Sequence, residues 1–261
     1  MTIKIKTEDE IQKMRIAGKL AADVLEMIAP HVVAGATTGH LNQIMHDYMV
    51  NEQHTIPATL NYHGFPASSC ISINQVVCHG IPDNKKTLKK GDIVNIDVTV
   101  IKDGYHGDTS RMFEIDHVKP FASRLTKVAH ECLWLGIQQV KPEASLYDVA
   151  LAIQTHAEKN NFTVVKEYCG HGIGADFHEA PQVLHYAAPE LKEIILKPGM
   201  IFTIEPMINL GKADVKLLAD NWTVVTKDRK LSAQWEHTLA VTQDGYEIFT
   251  LRTDEQPVLP A

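Results

Sequence analysis

Apolar residues return at helical spacing over 8–29, where Ile11, Met14, Ala17, Leu20, Ala21, Val24, Leu25 and Ile28 fall on one face. Thr7 with Glu10 forms a capping-box pattern at its start. A second helix is predicted over 37–53, capped by Thr37 or Thr38. Two more are predicted over 121–140 and 145–160, the last capped by Ser145 with Asp148 at the capping-box position. Runs rich in Val, Ile, Thr and aromatics predict strands over 92–101, 105–115, 162–168, 200–208, 222–226 and 235–242. The order is helix, helix, strands, then the same again. That order predicts an α+β domain, its helices covering one face of a mostly antiparallel sheet.

The recurrence extends to the residues themselves. "LKKGDIVNIDV" (88–98) and "LKPGMIFTIEP" (196–206) match at an offset of 108 positions. Leu88, Lys89, Gly91, Ile93 and Ile96 recur as Leu196, Lys197, Gly199, Ile201 and Ile204, and Asp97 falls on Glu205. The same offset lays 34–48 on 142–156, pairing Ala36 with Ala144, Thr37 with Ser145 and Leu41 with Val149. Two matches at one offset predict an internal duplication. The repeats would be about 5–115 and 116–250 of a single domain spanning 1–261, with two carboxylates meeting across a pseudo-twofold axis.

Acidic residues interrupt these apolar strands. Asp97 sits among Ile93, Val94, Ile96 and Val98. Glu205 ends the run from Met200 to Ile204, and Pro206 holds it in extended backbone. Glu236 breaks "AQWEHTLAV". If Ile101–Gly104 form a four-residue loop, Asp97 faces Asp108 directly across a hairpin, and two such carboxylates need a proton or a cation between them. "YCGHGIGADFHEAP" (168–181) carries His171 and His178, and "VVCHGIP" carries His79. Glycines 170, 172 and 174 lack the strand–loop–helix setting of a dinucleotide site and suit close backbone approach instead. Spacing alone does not bring Asp97, Asp108, His171, Glu205 and Glu236 together, and Glu236 by itself reads as a surface acid; if the five meet, they would make an oxygen-rich ligand field suited to Mn²⁺, Fe²⁺ or Co²⁺. Four carboxylates balance two divalent ions, which ~3.5–4 Å apart could activate a water.

Composition narrows the class. The 261 residues carry a net charge of −7 and only 22% charged side chains, which argues against a nucleic-acid or anionic-membrane partner. No apolar signal core or membrane-length run is present, and Cys70, Cys78, Cys132 and Cys169 have no C-x-x-C spacing. They read as reduced thiols of a cytoplasmic protein.

The ordered blocks "VVCHGIP", "GDIVNIDVTV…GYHGDTSRMF", "GHGIG…FHEAP", "GMIFTIEPM" and "SAQWEHTLAVT" resemble the signatures of type I methionine aminopeptidases over nearly the whole chain. The resemblance implies the duplicated "pita-bread" fold, a curved sheet with helices on its outer face. It implies a dinuclear metallo-exopeptidase that removes the N-terminal methionine of nascent proteins when the second residue is small. It makes Asp97 a ligand of one metal, Asp108 and Glu236 bridges, and His171 and Glu205 ligands of the other, with Glu205 also moving the proton of the attacking water. It puts His178 at the scissile carbonyl, His79 at the leaving nitrogen, and a methionine pocket at Tyr62, Phe65, Cys70, Phe177 and Trp222. Zn²⁺ joins Mn²⁺, Fe²⁺ and Co²⁺ as a candidate ion. The implied partner is the N-terminal methionine of nascent polypeptides, with transient ribosome contact by a monomer. Thr59 and Phe65 depart from the cysteine and tyrosine often found in the family. The 31 positions between Glu205 and Glu236 leave no room for the helical insertion of type II members. The rivals are a proline-directed aminopeptidase of the same fold and a metal-free peptide-binding module.

Overall fold

The computed structural model describes residues 2–257; residues 1 and 258–261 of the expected domain lie outside the described residues. Four α-helices form: α1 (Glu8–Ile28), α2 (Thr38–Asp47), α3 (Pro120–Ile137) and α4 (Leu146–Lys159). Their starts follow the local chemistry. Thr7 and Glu10 satisfy each other's backbone N–H groups at α1, Ser145 and Asp148 do so at α4, and the Thr37 hydroxyl accepts from His40 N at α2. The second helix is shorter than predicted. It ends at Asp47 and widens into a π turn, Tyr48–Glu52, where Gln53 N closes on Tyr48 O. None of the described helices is long and apolar enough to cross a membrane.

The first half contributes strands β1 (Ile56–Pro57), β2 (Cys70–Ile73), β3 (Val76–Cys78), β4 (Ile93–Lys102) and β5 (Tyr105–Glu114). The second contributes β6 (Thr163–Val164), β7 (Gly170–Gly172), β8 (Glu179–Val183), β9 (Ile201–Ile204), β10 (Met207–Asn209), β11 (Val215–Leu217), β12 (Val224–Thr226), β13 (Ser232–Gln234), β14 (His237–Val241) and β15 (Tyr246–Ile248). Every pairing between them is antiparallel. One ladder runs β1-β4-β2 with β5 on the other side of β4, and a five-stranded one runs β15-β14-β9-β7-β8. A bridge between Ser110 and Glu236 joins the two.

Two strand expectations are corrected. The predicted strand over 200–208 is β9 and β10, interrupted at Glu205-Pro206, because the chain leaves one ladder there and enters another, β13-β10-β6. The hairpin loop has two residues, not four. Asp103 and Gly104 both take left-handed φ, +49° and +79°, the pairing that matches the twist of the flanking strands. Asp108 therefore faces Thr99, and Asp97 faces Ser110. A two-residue shift leaves all four side chains on one sheet face, so the acids stay neighbours diagonally.

Alternation explains why acids interrupt apolar runs. From β4, Val94, Ile96, Val98 and Val100 point into the core formed with Ala21, Val24, Leu25 and Ile28 of α1. From β9, Phe202 and Ile204 point into a second core with α3 and α4. Burying each such side chain is worth ~1.5–3 kcal/mol. Asp97 and Glu205 stand on the opposite face.

The two halves share details at the predicted offset. Thr37 bridges Thr87, and Ser145 bridges Ile195. Leu88 N donates to Ala36 O at 2.9 Å, and Leu196 N to Ala144 O at 2.8 Å. Gly91 and Gly199 adopt φ of +87° and +86°.

Candidate metal centre

Asp97, Asp108, His171, Glu205 and Glu236 all line one cavity of about 370 Å³. Asp97 comes from β4 and Asp108 from β5, while His171 lies in β7. The β9–β14 register, His237 opposite Ile204, continues by one residue to set Glu205 opposite Glu236. Nε2 of His171 lies 3.6 Å from Asp108 and 3.8 Å from Glu205. One ligand atom from each of Asp108, His171 and Glu236 falls within 4.8 Å of the others. The closeness of β7 to its neighbours depends on glycine, since a Cβ at Gly170 or Gly172 would collide with the carbonyl oxygens of Thr203 or Ala180.

The electrostatics of the cluster fit divalent cations. Burial, reinforced by Asp108, raises Asp97 and Glu236 well above the ordinary carboxylate range. Burial lifts Glu205 to about 7 against the opposing pull of His171. Burial alone would lower His171, but Asp108 and Glu205 outweigh it and raise the imidazole. Among the described residues, His171 is the only ion-pairing partner of these four carboxylates. His171 Nδ1–H donates to Gly172 O at 2.9 Å, which turns Nε2 toward the carboxylates as the nitrogen available to a metal ion. Four hard oxygen donors and one imidazole nitrogen, each acid costly to ionise alone, match divalent metal ions.

The other predicted residues line the same cavity. Phe65 and Trp222 meet edge-on with centroids 5.1 Å apart, Tyr62 and Phe177 lie 4.8 Å apart, and Cys70 is buried beside Phe65. His178 stands between pocket and acids, 4.1 Å ring to ring from His171. Its Nδ1 hydrogen-bonds with the Tyr62 hydroxyl at 2.8 Å. Burial, then His171, lowers its pKa to about 4, so the ring is neutral near pH 7. His79 adopts φ of +55° and lies edge-on to Tyr168 and Trp222; burial lowers it too. All four cysteines are free.

The sequence did not single out the groups that hold the acids. Thr203 and Gln234 donate to Glu205 at 2.9 and 3.1 Å, Thr99 donates to Asp108 at 2.8 Å, and Glu205 N donates to His185 Nε2 at 3.1 Å. One signal was available for the first of these: Thr203 lies two positions before Glu205, on the same strand face.

Residues 12–243 match the model of metallopeptidase family M24. This chain belongs to that family. The methionine aminopeptidase of Escherichia coli K12 is 58% identical over 98% of this chain and 96% of its own length. A crystal structure of methionine aminopeptidase from Rickettsia prowazekii superposes with a TM-score of 0.93 at 53% identity, covering 96% of this chain and all of the other. The prolidase of Pyrococcus furiosus, an M24-like fold at 18% identity, has a TM-score of 0.74 and is covered over only 65% of its length.

Proposed function

We propose that this M24 chain is a type I methionine aminopeptidase, removing the N-terminal methionine of nascent polypeptides whose second residue is small. One observation carries the reading. Five oxygen- and nitrogen-donor residues and a thiol- and aromatic-lined pocket share one cavity. The identity to the Escherichia coli enzyme supports it over the proline-directed rival. Retention of all five donors speaks against a metal-free binding module.

In this reading Asp97 would hold one divalent ion, Asp108 and Glu236 would be shared between two, and His171 and Glu205 would complete the second site. Mn²⁺, Fe²⁺ or Co²⁺ suits the donors, with Zn²⁺ as a further candidate. When bound, such ions supply a water acidified toward pKa ~7 and a Lewis acid for the scissile carbonyl. The methionine side chain enters the pocket of Tyr62, Phe65, Cys70, Phe177 and Trp222. Glu205, with its raised carboxyl, accepts the proton of the attacking water and passes it toward the leaving nitrogen. The neutral His178 donates from Nε2 to the carbonyl oxygen as negative charge develops, while Tyr62 fixes its tautomer. His79 lies beside the leaving amide. We further infer a single domain of two pseudo-repeats, about 5–115 and 116–250, supported by the paired contacts at the common offset, and a cytoplasmic monomer that meets ribosomes transiently. Release of methionine from Met-Ala-Ser by the purified, metal-assayed protein tests the function.

Two consequences are measurable. His178→Ala is expected to lower kcat by ~10²–10³-fold, as for loss of one donor to a developing oxyanion, with KM changed by only a few fold. Unchanged kcat would remove His178 from the reaction. The second concerns stability. Glu205 holds its proton up to about 7 when folded, against an unfolded value of ~4.3. Its contribution is therefore full below the unfolded pKa and is lost as pH rises through about 7. Asp97 and Glu236, raised by burial, change with the same sign. Buried histidines with lowered values, His178 and His79 among them, add stability as pH rises to about 6.5, so the acid cluster is expected to show as a loss of thermal stability of the metal-free protein above that, between about pH 6.5 and 8. Mn²⁺ at a hundredfold excess over its Kd should restore ~2.7 kcal/mol at the upper end. A calorimetric Tm that rises with pH above about 6.5 in the chelated protein would contradict the buried acid cluster.

A further inference from the structure

Behind the cavity lies a second polar cluster that the reaction does not use. It is built by residues 250–255, after β15, and centres on Glu255, which is 9% exposed. The Glu255 carboxylate meets His130 Nε2 at 2.6 Å and His237 Nε2 at 3.2 Å, and it pairs with Arg252. Thr250 Oγ1 meets His237 Nδ1 at 2.9 Å and accepts from Thr238 N at 3.1 Å. Arg252 reaches across to donate to Thr109 Oγ1 at 3.1 Å.

Strand alternation connects this cluster to the metal centre. Asp108 and Glu236 line the cavity, so their neighbours Thr109 and His237 face away from it. Those neighbours are the side chains gripped from behind. Thr109 Oγ1 in turn donates to the Glu236 carbonyl at 2.8 Å, and Thr238 Oγ1 donates to the Asp108 carbonyl at 2.7 Å. On the other flank of Glu236, the Trp235 ring stacks on His130 at 4.1 Å, and Trp235 Nε1 donates to Thr126 O at 3.0 Å. Both rings beside Glu236 thus lead to one carboxylate: Trp235 through His130, and His237 directly.

We propose that Glu255, with Arg252 and Thr250, forms a latch from the C-terminal segment that fixes the spacing of Asp108 and Glu236 and thereby sets how tightly the centre holds metal. These are positioning residues. They touch the backbone-bearing neighbours of the ligands, not the cavity. The proposal rests on the metal-ligand reading of Asp108 and Glu236. It goes beyond that reading by assigning metal retention to a segment outside the active-site strands. A bridging pair tolerates little change in separation, because each carboxylate must reach both ions. Loss of a group bonded directly to a metal ligand typically weakens metal binding by ~10–100-fold, and a latch acting through the ligands' neighbours should reach at most the lower end of that range.

Glu255→Gln keeps the side-chain volume, removes the charge and turns one acceptor oxygen into a donor. The loaded full-length protein would be exposed to excess chelator and its loss of Mn²⁺ followed, with kcat and KM on Met-Ala-Ser measured in parallel. The expected result is Mn²⁺ loss faster by about threefold to tenfold and lower kcat at limiting Mn²⁺, KM for the peptide staying within about twofold and saturating Mn²⁺ restoring most of kcat. Thr250→Val loosens the other end of the latch without unpairing a charge, and should change Mn²⁺ loss in the same direction by a smaller factor. If Glu255→Gln does not fold, Thr250→Val decides alone. Ile153→Val, in the core between α3 and α4, supplies a comparable loss of Tm without contact to this segment. Mn²⁺ release from Thr250→Val no faster than from Ile153→Val would overturn the latch. A wild-type protein that retains no Mn²⁺ at all would instead refute the metal-ligand reading beneath it.

Discussion

Asp108→Ala and Glu236→Ala are each expected to lower kcat/KM on Met-Ala-Ser by at least about 10³-fold, about 4 kcal/mol of transition-state stabilisation. Each substitution removes one of the two carboxylates that, with His171, bring ligand atoms within 4.8 Å of one another. On the dinuclear reading, what would remain is a pair of cations with too little negative charge between them. The two variants should also bind less metal, whereas Asp97→Ala should keep about one ion and lose the other. Stability separates this loss from unfolding. Charge on Asp108 raises the carboxyls of Asp97 and Glu236, after burial itself. Removing it relieves repulsion in the metal-free protein, which should melt no lower than the metal-free parent at pH 7.5. A folded Asp108→Ala protein with full activity and verified metal content would sink the dinuclear reading.

Met-Ala-Ser is expected to be cleaved at least about tenfold and up to about 200-fold faster than Leu-Ala-Ser in kcat/KM, the range open to a small misfit in an apolar pocket. Phe65, Trp222, Tyr62, Phe177 and Cys70 surround the pocket with rings and a thiol. A thioether gains ~0.3–1.5 kcal/mol from each good contact with a ring edge. Burial holds the Cys70 thiol well above its ordinary pKa, so the wall stays neutral and apolar near pH 7. Leucine lacks the unbranched reach of methionine and should be a poor substrate without being excluded. N-formyl-Met-Ala-Ser should resist cleavage, because formylation removes the free amine that the acidic cluster can hold. Met-Lys peptides should resist because the family resemblance implies a narrow second site. Competition between Met-Ala-Ser and Ala-Pro-Ala settles the rival. Cleavage that depends on proline at the second position, with indifference to the first residue, would show the pocket and the methionine function to be misassigned.

Most of the chemistry was legible because strand alternation leaves a mark. An acid inside an apolar run, as at Asp97, is costly unless the opposite sheet face is a site, and β4 proves to have a core face and a cavity face. Glu236 was less legible. Taken alone it could as well be a surface acid; the structure buries it in the cavity, with Ser110 bridging it and the Thr109 hydroxyl holding its carbonyl. The hairpin register was misread because the Asp103-Gly104 turn was given two residues too many, although Asp-Gly between strands is a local signal for the tighter turn. The error did not move Asp108 off the site face, because it was an even number of residues. The short strands β7 and β8 were not predicted, since Gly170–Gly172 and a segment containing Pro181 have little strand preference; their pairing is set by neighbours.

By itself the sequence determined what is local or periodic. Helix starts follow from Thr7, Thr37 and Ser145, core faces from apolar spacing, and the repeat from two matches at one offset, because each depends on residues near one another in the chain. Only the tertiary structure decided what depends on distant segments meeting. It decided that His171 stands 3.6 Å from Asp108 and that burial lifts Glu205 to about 7. It also decided that Glu255 reaches both His130 and His237 behind the site. Desolvation and pairwise charge act through space, over a few ångströms, and separations along the chain such as the 63 positions from Asp108 to His171 carry no information about them.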